Sequence, residues 1–480
     1  MNLNSRVTFF NQGQFELMKT RVFELLDQRG VRMDHPQVLQ LLRQAGANVD
    51  VDTKIVRFSK SFLEEQLRQV PPIITLAGRT DKHKLEIPGP DGTFCTRTNT
   101  GGQSWIELDS GRYRPVTAAD VAAWARLADR LEHIGFCAFP VPSDVPAATL
   151  DVHALSLMLK NIEKHIWVQP YTHESVEYLI ELAKAAAGGA DALKANPLVS
   201  FITCSLTPLE FKAMDLEIIL QCARCGIPLH ACSLPGAGAT APVTMPGVVL
   251  LSTAEILAMV AVAQVIEPGT PVIATPLIFS TDMMSGRSLQ SSVESMQGAA
   301  LAIQFIKTAF ELPTHTYGIG SDSPVLDGQS TSEGALRCMT MALSGADILG
   351  AAGQLEVATT ISPVQLAIDN EVLGMVKRMI SKIDFDDETM AWQELLNAEP
   401  GSQFLSNEHT FRHCRDGLMP LNFIRMTRDG WHAKGEIDLN ARVTEFCKDI
   451  LAKAEPVALP ENMARELDSI VSRADTKLRS

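Results

Sequence analysis

Apolar and polar positions along the 480-residue chain fall into three successive regimes. Over residues 1–90 apolar positions recur at helical spacing, in VFELLDQRGVRM and HPQVLQLLRQAGANV, and predict a mostly helical extension. KIVRFSK and PPIITLAGR add short strand-like runs. Between residues 91 and 384 the pattern repeats. TFCTRTNT, HIGFCAFPVP, KHIWVQPY, LVSFITCSL, IPLHACSLP, PVIATPLIFS, THTYGIGSD and ADILGAAG are strand candidates, and each precedes a loop and a helical segment. TAADVAAWARLADRL, ESVEYLIELAKAAA and SSVESMQGAALAIQFIKTAFEL are three of those helices. This repetition matches the size of a (β/α)8 barrel, so the fold class expected is α/β, a TIM barrel with helical N-terminal and C-terminal extensions. An open doubly wound sheet is the alternative, but its GxGxxG fingerprint is missing after the first strand. Beyond Asp384 the repeat stops. Residues 385–480, with DETMAWQELL and ENMARELDSIVSRA, read as a helical cap or oligomer contact.

One run, Val248 to Ile266, is long and apolar enough to raise the question of a membrane span. It carries Glu255 and Gln264 inside the strand–helix repeat, so a buried helix is the expectation. The N-terminus lacks a basic start followed by an apolar run, so no signal peptide is read. A charge of -14 argues against nucleic-acid binding, which needs clustered Lys and Arg. Nine scattered cysteines fit a reduced cytoplasm. QCARCGIPLH holds the CxxC pair Cys222 and Cys225 with His230, and Cys232 lies just beyond, but a structural zinc site usually takes two close pairs.

In such a barrel chemistry sits just past the strands' C-terminal ends. Those positions are Asn99, Phe139, Gln169, Tyr171, Ser205, His230, Phe279, Tyr317, Asp322 and Gln354. Rings at Phe139, Trp167, Tyr171, Phe279 and Tyr317 recur there in a chain only 6% aromatic, a setting that attracts cations. No nucleophile–base set is visible. The loop LPGAGATAPVT, with Gly236, Gly238 and Thr240, has small residues that let backbone N–H groups approach an anion, a carboxylate or a corrinoid. DVHALS half-matches a corrinoid-binding DxHxxG; its glycine is absent, Asp151 reads as a helix cap, and no built-in corrinoid is expected. EHTFRHC sets His409 and His413 four apart, but no third ligand is evident, so no metal is expected.

The run YGIGSDSPVLDGQSTSEGALRCMTMALSGADILGAAGQLEVATTISPVQLAIDN, Tyr317 to Asn370, resembles the trimethylamine methyltransferase family of corrinoid-dependent enzymes. GAGATAPVT and EHTFRHC are similar to loops of that family, and the order of elements agrees over essentially the whole chain. The resemblance implies a (β/α)8 barrel, often a homo-oligomer, that works on a methylated amine and a separate protein carrying a cobalamin-type corrinoid. It also implies a departure. The trimethylamine enzymes carry pyrrolysine, an electrophile, where this chain has Gly328.

A quaternary substrate needs no such helper, because its nitrogen leaves as a neutral tertiary amine. Relatives without pyrrolysine demethylate glycine betaine, proline betaine or carnitine, each a quaternary nitrogen paired with a carboxylate. Glycine betaine is the substrate expected, with proline betaine and carnitine or butyrobetaine as alternatives. A carboxylate-free amine such as choline, or a non-catalytic binding or sensory protein, is the further alternative. On this reading Asp322, Asp327, Gly328, Gln329 and Glu356 line the methyl-transfer site. The aromatic rings and Gln354 meet the substrate, and Arg97, Asn99, His230 or the 236–240 loop meets its carboxylate.

Overall fold

The computed structural model describes residues 8–478. All eight strand candidates form: β1 (Cys95–Thr98), β2 (Phe136–Ala138), β3 (His165–Val168), β4 (Val199–Cys204), β5 (Leu229–Ser233), β6 (Val272–Pro276), β7 (His315–Tyr317) and β8 (Ile348–Ala352). They run parallel as one eight-stranded sheet in the order β6-β5-β4-β3-β2-β1-β8-β7. A single bridge, Ala274 to Thr314, closes β6 on β7 into a barrel.

Each strand is followed by a helix on the outside: α1 (Ala118–Arg130), α2 (Leu150–Asn161), α3 (Ser175–Ala187), α4 (Ala213–Cys225), α5 (Met245–Ile266), α6 (Val293–Phe310), α7 (Gly328–Leu343) and α8 (Pro363–Met379). Their starts have local causes. Thr117 and Asp120 form a capping box on α1, Ser292 caps α6, Asp327 caps α7 and Ser362 caps α8.

Side chains alternate across each strand. Outward residues such as Val168, Phe201 and Leu229 join the helix-facing core. Inward residues such as Phe136, Trp167, Ile202, Cys232, Ile273, Tyr317 and Ile348 fill the barrel. The hairpin Ile74–Leu76 with Leu85–Ile87 packs Ile74, Leu76 and Ile87 against the same interior cluster, beneath the strands' N-terminal ends. Only the other end is left for a ligand.

The apolar helix α5 is buried over 83% of its most apolar window, against the extension's helices Gln12–Gln28, Pro36–Gln44 and Lys60–Leu67 and the barrel strands. Its acid has a definite purpose. Glu255 accepts from Ser205 Oγ at 2.5 Å, Thr207 Oγ1 at 2.9 Å, Leu209 N at 2.7 Å and Ser233 Oγ at 2.6 Å, tying the loops after β4 and β5 together.

The extension is less helical than its periodicity predicts. Gly30 turns to φ +69, the helix stops, and Val31–Met33 becomes a strand in a small sheet with Ile55–Arg57, Asn48–Asp50 and Glu210–Phe211. The tail wraps the barrel. Leu439–Lys453 packs on α8 and α1, and Glu461–Leu478 packs on α3 and α2. Between them and α8 lie only short helices, with many apolar side chains exposed: Phe385, Leu396, Leu405, Phe411, Met419 and Leu421.

Candidate functional site

A row of polar side chains crosses the barrel interior, and its hydrogen bonds can run in one direction only. A guanidinium only donates, so Arg97 Nε gives its proton to His315 Nε2 at 3.3 Å. The His315 proton therefore sits on Nδ1 and goes to His230 Nδ1 at 3.1 Å. His230 is left with its proton on Nε2, which points at Ser200 Oγ, 3.1 Å away. The Ser200 hydroxyl donates to His165 Nε2 at 2.8 Å. His165 Nδ1–H ends the row on the carbonyls of Ala77 and Pro197 at 3.0 and 3.1 Å, which can only accept. All five side chains are fully buried. Burial pushes the His165 imidazole down to about 4 and holds His230 and His315 well below the usual range, the Arg97 charge adding to the effect on both. The three rings are neutral at pH 7, and the only charge in the row is on Arg97.

Arg97 stands on β1 with its guanidinium carbon 4.1 Å over the Trp167 ring. Its Nη1 donates to Thr98 O at 2.7 Å, and its Nη2 is buried without a partner. Burial lowers it to about 10, so it keeps its proton. The groups that raise it, Tyr317, Cys232 and Cys137, are phenol and thiols rather than carboxylates. A buried guanidinium with no anion is costly, and an incoming carboxylate relieves that cost.

Other unpartnered buried atoms gather toward the same open end: Asn99 Oδ1, Tyr171 OH, Thr281 Oγ1, Gln290 Nε2, Gln354 Oε1 and Arg337 Nη2. Asn99 ends β1, Tyr171 follows β3, Thr281 and Gln290 follow β6, Gln354 follows β8, and Arg337 on α7 donates its Nε to Tyr317 O at 2.8 Å. Phe279 and Tyr317 meet edge to face there, with ring centroids 6.0 Å apart. Burial raises the Tyr317 phenol to about 12, so it stays neutral. The mouth therefore offers polar atoms, a ring pair and, below them, a fixed positive charge.

The loops around the mouth are bound to one another. Asp322 accepts from Gln290 N at 3.0 Å and Ser291 N at 2.8 Å, and burial raises its carboxyl above the usual range. Asn99 Nδ2 donates to Ala358 O at 3.1 Å, and Glu356 N donates to Ser323 O at 3.0 Å. Glu356, Val357 and Ala358 lie consecutively at φ +52, +53 and +73. Left-handed backbone at non-glycine residues costs roughly 1–2 kcal/mol each, so the surrounding bonds hold this turn against its preference.

Several expected residues stand elsewhere than the sequence placed them. Phe139 points outward into the helix-facing core and not into the barrel. Trp167 faces inward, but Arg97 covers its ring. In the 236–240 loop the backbone donors are already satisfied. Gly236 N binds Thr240 Oγ1, Gly238 N binds Ala241 O, and Ala239, Thr240 and Ala241 N all converge on Gly236 O. No N–H among these is left to cradle an anion. His230 belongs to the interior row rather than to the mouth. The cysteines that lie close in sequence are split by the fold: Cys222 lies in the helix-facing core with Cys225 packed against it, and Cys232 lies inside the barrel. Asp151 is not the cap but the second residue of α2; it accepts from Val152 N at 2.9 Å in its own helix and from Tyr171 N at 2.8 Å and Ser175 Oγ at 2.5 Å, joining the start of α2 to that of α3.

Asp327 caps α7 by accepting from Ser330 N at 3.0 Å, and Gln329 reaches along the helix to Glu333 Oε1 at 2.8 Å. Gly328, first residue of α7, is exposed, and a Cβ built on it meets nothing within 4 Å. Glu356 accepts from Thr360 Oγ1 at 2.8 Å. Sequence reasoning missed His165, Ser200 and His315. A histidine at alternate positions of short strands, in HIW, LHA and HTY, was the signal.

Beneath the mouth, Asp369 on α8 accepts from Gly353 N at 2.7 Å and Gln365 Nε2 at 2.7 Å, holding the backbone next to Gln354. Full burial raises its carboxyl to about 7. From about pH 4 to 7 the folded chain keeps a proton that the unfolded chain loses, so stability falls as pH rises through that window. Gln365 Oε1 has no partner, so a turned amide can accept from an asparagine. Asp369→Asn is expected to stabilise the protein by roughly 2 kcal/mol at pH 8 and by little at pH 4. Thermal unfolding across that range checks it, and equal gains at both ends refute it.

Residues 2–478 match the family described as Trimethylamine methyltransferase (MTTB). A trimethylamine methyltransferase of Desulfitobacterium hafniense is 29% identical over 470 residues, 97% of this chain and 94% of that one. A glycine betaine methyltransferase of the same species is 27% identical over 472 residues, 98% and 97% of the two chains. In fold, the chain is similar to the crystal structure of the Methanosarcina barkeri monomethylamine methyltransferase, with a TM-score of 0.51 over 93% of each chain at 12% identity.

Proposed function

Because the chain belongs to the trimethylamine methyltransferase family, we propose that it takes a methyl group from a quaternary amine bearing a carboxylate, glycine betaine first. The acceptor is Co(I) of a corrinoid on a separate protein. The C–N bond breaks with its electron pair passing to nitrogen, cobalt supplies the pair for the new bond, and dimethylglycine leaves with a neutral amine nitrogen and its carboxylate still charged. No proton is needed. Gly328, with open space above it, fits a reaction without a covalent helper.

The observation that carries this reading is the anion-less Arg97 guanidinium below a polar mouth. A betaine carboxylate pairs with Arg97, and the trimethylammonium head then lies higher, beside Tyr317 and Phe279. That orientation aims a methyl outward, toward an arriving corrinoid. The experiment mixes the protein with reduced corrinoid protein and, separately, glycine betaine, proline betaine, carnitine, tetramethylammonium and trimethylamine, and follows the Co(I) spectrum. Loss of Co(I) with glycine betaine is expected. Equal turnover of trimethylamine removes the argument from charge, and silence with every quaternary amine favours a binding protein.

The corrinoid protein is assigned to the rim. Val243, Met283, Met284 and Val325 stand exposed on loops after β5, β6 and β7, with Val293 exposed at the first turn of α6, and adaptable methionines suit a transient partner. Met284 is 98% exposed. Met284→Asp is expected to raise the KM for the corrinoid protein about tenfold, roughly 1.4 kcal/mol, with the betaine KM and the melting temperature unchanged. A steady-state titration of the corrinoid protein measures this, and an unchanged KM moves the docking face elsewhere. The exposed apolar side chains of 385–437 support self-association, and nine unpaired cysteines suit the cytoplasm.

A further inference from the structure

The cap carries a second candidate site, far in sequence from the barrel mouth. The i, i+4 pair His409 and His413 lies on the short helix Glu408–His413, with ring centroids 4.4 Å apart. The fold brings them a third ligand that spacing alone does not reveal. Glu388 approaches so that one ligand atom from each of Glu388, His409 and His413 lies within 4.8 Å of the others. Among the described residues this is the one such group.

The hydrogen bonds around the rings prepare them for a cation. His409 Nε2 lies 2.8 Å from Glu388 O, a carbonyl that can only accept, so Nε2 carries the proton and the Nδ1 lone pair is free. His413 Nδ1 lies 2.6 Å from Asp416 Oδ2 and donates to it. Its Nε2 lone pair then faces Glu388 Oε1, another acceptor, at 3.2 Å. Two acceptors so close require a cation or a second proton between them. With one N–H of each imidazole held by a carbonyl or carboxylate, the other nitrogen can take a metal ion, at His413 in place of the proton shared with Glu388, which is how histidine ligands are oriented on zinc. Local charge agrees: Glu388 and Asp416 bring two negative charges, and Asp386 lies close enough to act on His413. Arg412, 2.9 Å from Glu388 Oε1, opposes them and can swing outward from a half-exposed position.

The surrounding chain also lacks a core of its own. The helices Trp392–Leu396, Glu408–His413 and Arg428–Ala433 contain no buried residue. Segments of that kind are held together by metals when apolar burial is insufficient. We propose that Glu388, His409 and His413 bind one Zn2+ that ties residue 388 to the 408–413 helix and stiffens the cap. Asp416 orients His413 from behind, and water completes the tetrahedron.

The test uses the full chain, stripped with a chelator and dialysed. Zinc titrated by calorimetry is expected to bind one per chain at micromolar affinity or tighter. Co2+ in its place is expected to give the visible absorption of a tetrahedral site. His409→Ala and Glu388→Gln should each weaken zinc binding at least tenfold, and Asp416→Asn by a smaller factor. Arg412→Ala should leave it equal or tighter. Limited proteolysis between residues 385 and 438 should slow with zinc and not with magnesium. Circular dichroism identifies any variant that fails to fold, in which case the Co2+ spectrum of Asp416→Asn and the proteolysis of the unaltered chain decide. Zinc binding that His409→Ala leaves intact, or proteolysis indifferent to zinc, overturns the proposal.

Discussion

Arg97→Met is expected to lower kcat/KM for glycine betaine by two to four orders of magnitude while leaving tetramethylammonium turnover within a few-fold. Methionine keeps much of the stem's volume over Trp167 and removes the charge. A carboxylate entering the barrel of the variant would be buried against the phenol, thiols and neutral imidazoles that surround the position. Leaving one member of a buried ion pair alone costs roughly 3–5 kcal/mol, and each 1.36 kcal/mol is a factor of ten. The loss should lie in KM more than in kcat, because the carboxylate is remote from the breaking C–N bond. A carboxylate-free substrate gains nothing from Arg97 and separates this effect from damage to the fold. Arg97→Lys should recover little, since a compact ammonium cannot stand at the Nε position beside His315 and also reach the Nη2 position that the planar guanidinium spans. Parallel losses on both substrates would show that Arg97 only stabilises the barrel.

The second large effect concerns the barrel itself. Gly318→Ala is expected to destabilise the protein by roughly 3 kcal/mol or more, enough to lower its soluble yield. Gly318 N donates to Gly350 O at 3.0 Å, and Ile319 N shares that carbonyl at 3.2 Å, so β7 bends tightly against β8. A Cβ there would stand 2.2 Å from both Leu349 Cβ and Cγ and 2.8 Å from its Cα. Those atoms sit at or next to the backbone of a buried strand and cannot move aside alone. Gly328→Ala is the matched control, with nothing near its Cβ. Comparing denaturant midpoints of the two variants checks the claim, and equal midpoints would contradict it.

The architecture was legible because burial on both faces makes each barrel strand a short apolar run, and the helices between them keep a different period. The site was less so. Arg97 and Asn99 were in view as strand-end polar residues, yet Phe139, one residue past β2, faces the wrong way because strand side chains alternate. Asp327 and Gln329 looked like site residues by position. Both are held by contacts within α7, a local preference that motif reading overrides too easily. The small residues of the 236–240 loop suggested an anion cradle, but the same flexibility lets the loop close on its own carbonyl.

By itself, then, the order of residues determined the number of strand–helix units and the buried nature of α5. Folding decided what those units bring together. Arg97 and His315 are 218 positions apart and share a hydrogen bond, because a closed barrel makes its first and seventh strands near neighbours. The direction of the row, and hence the protonation of every ring in it, follows from its two ends. One can only give a proton and the other can only receive one, a property of the assembled interior that no single segment holds.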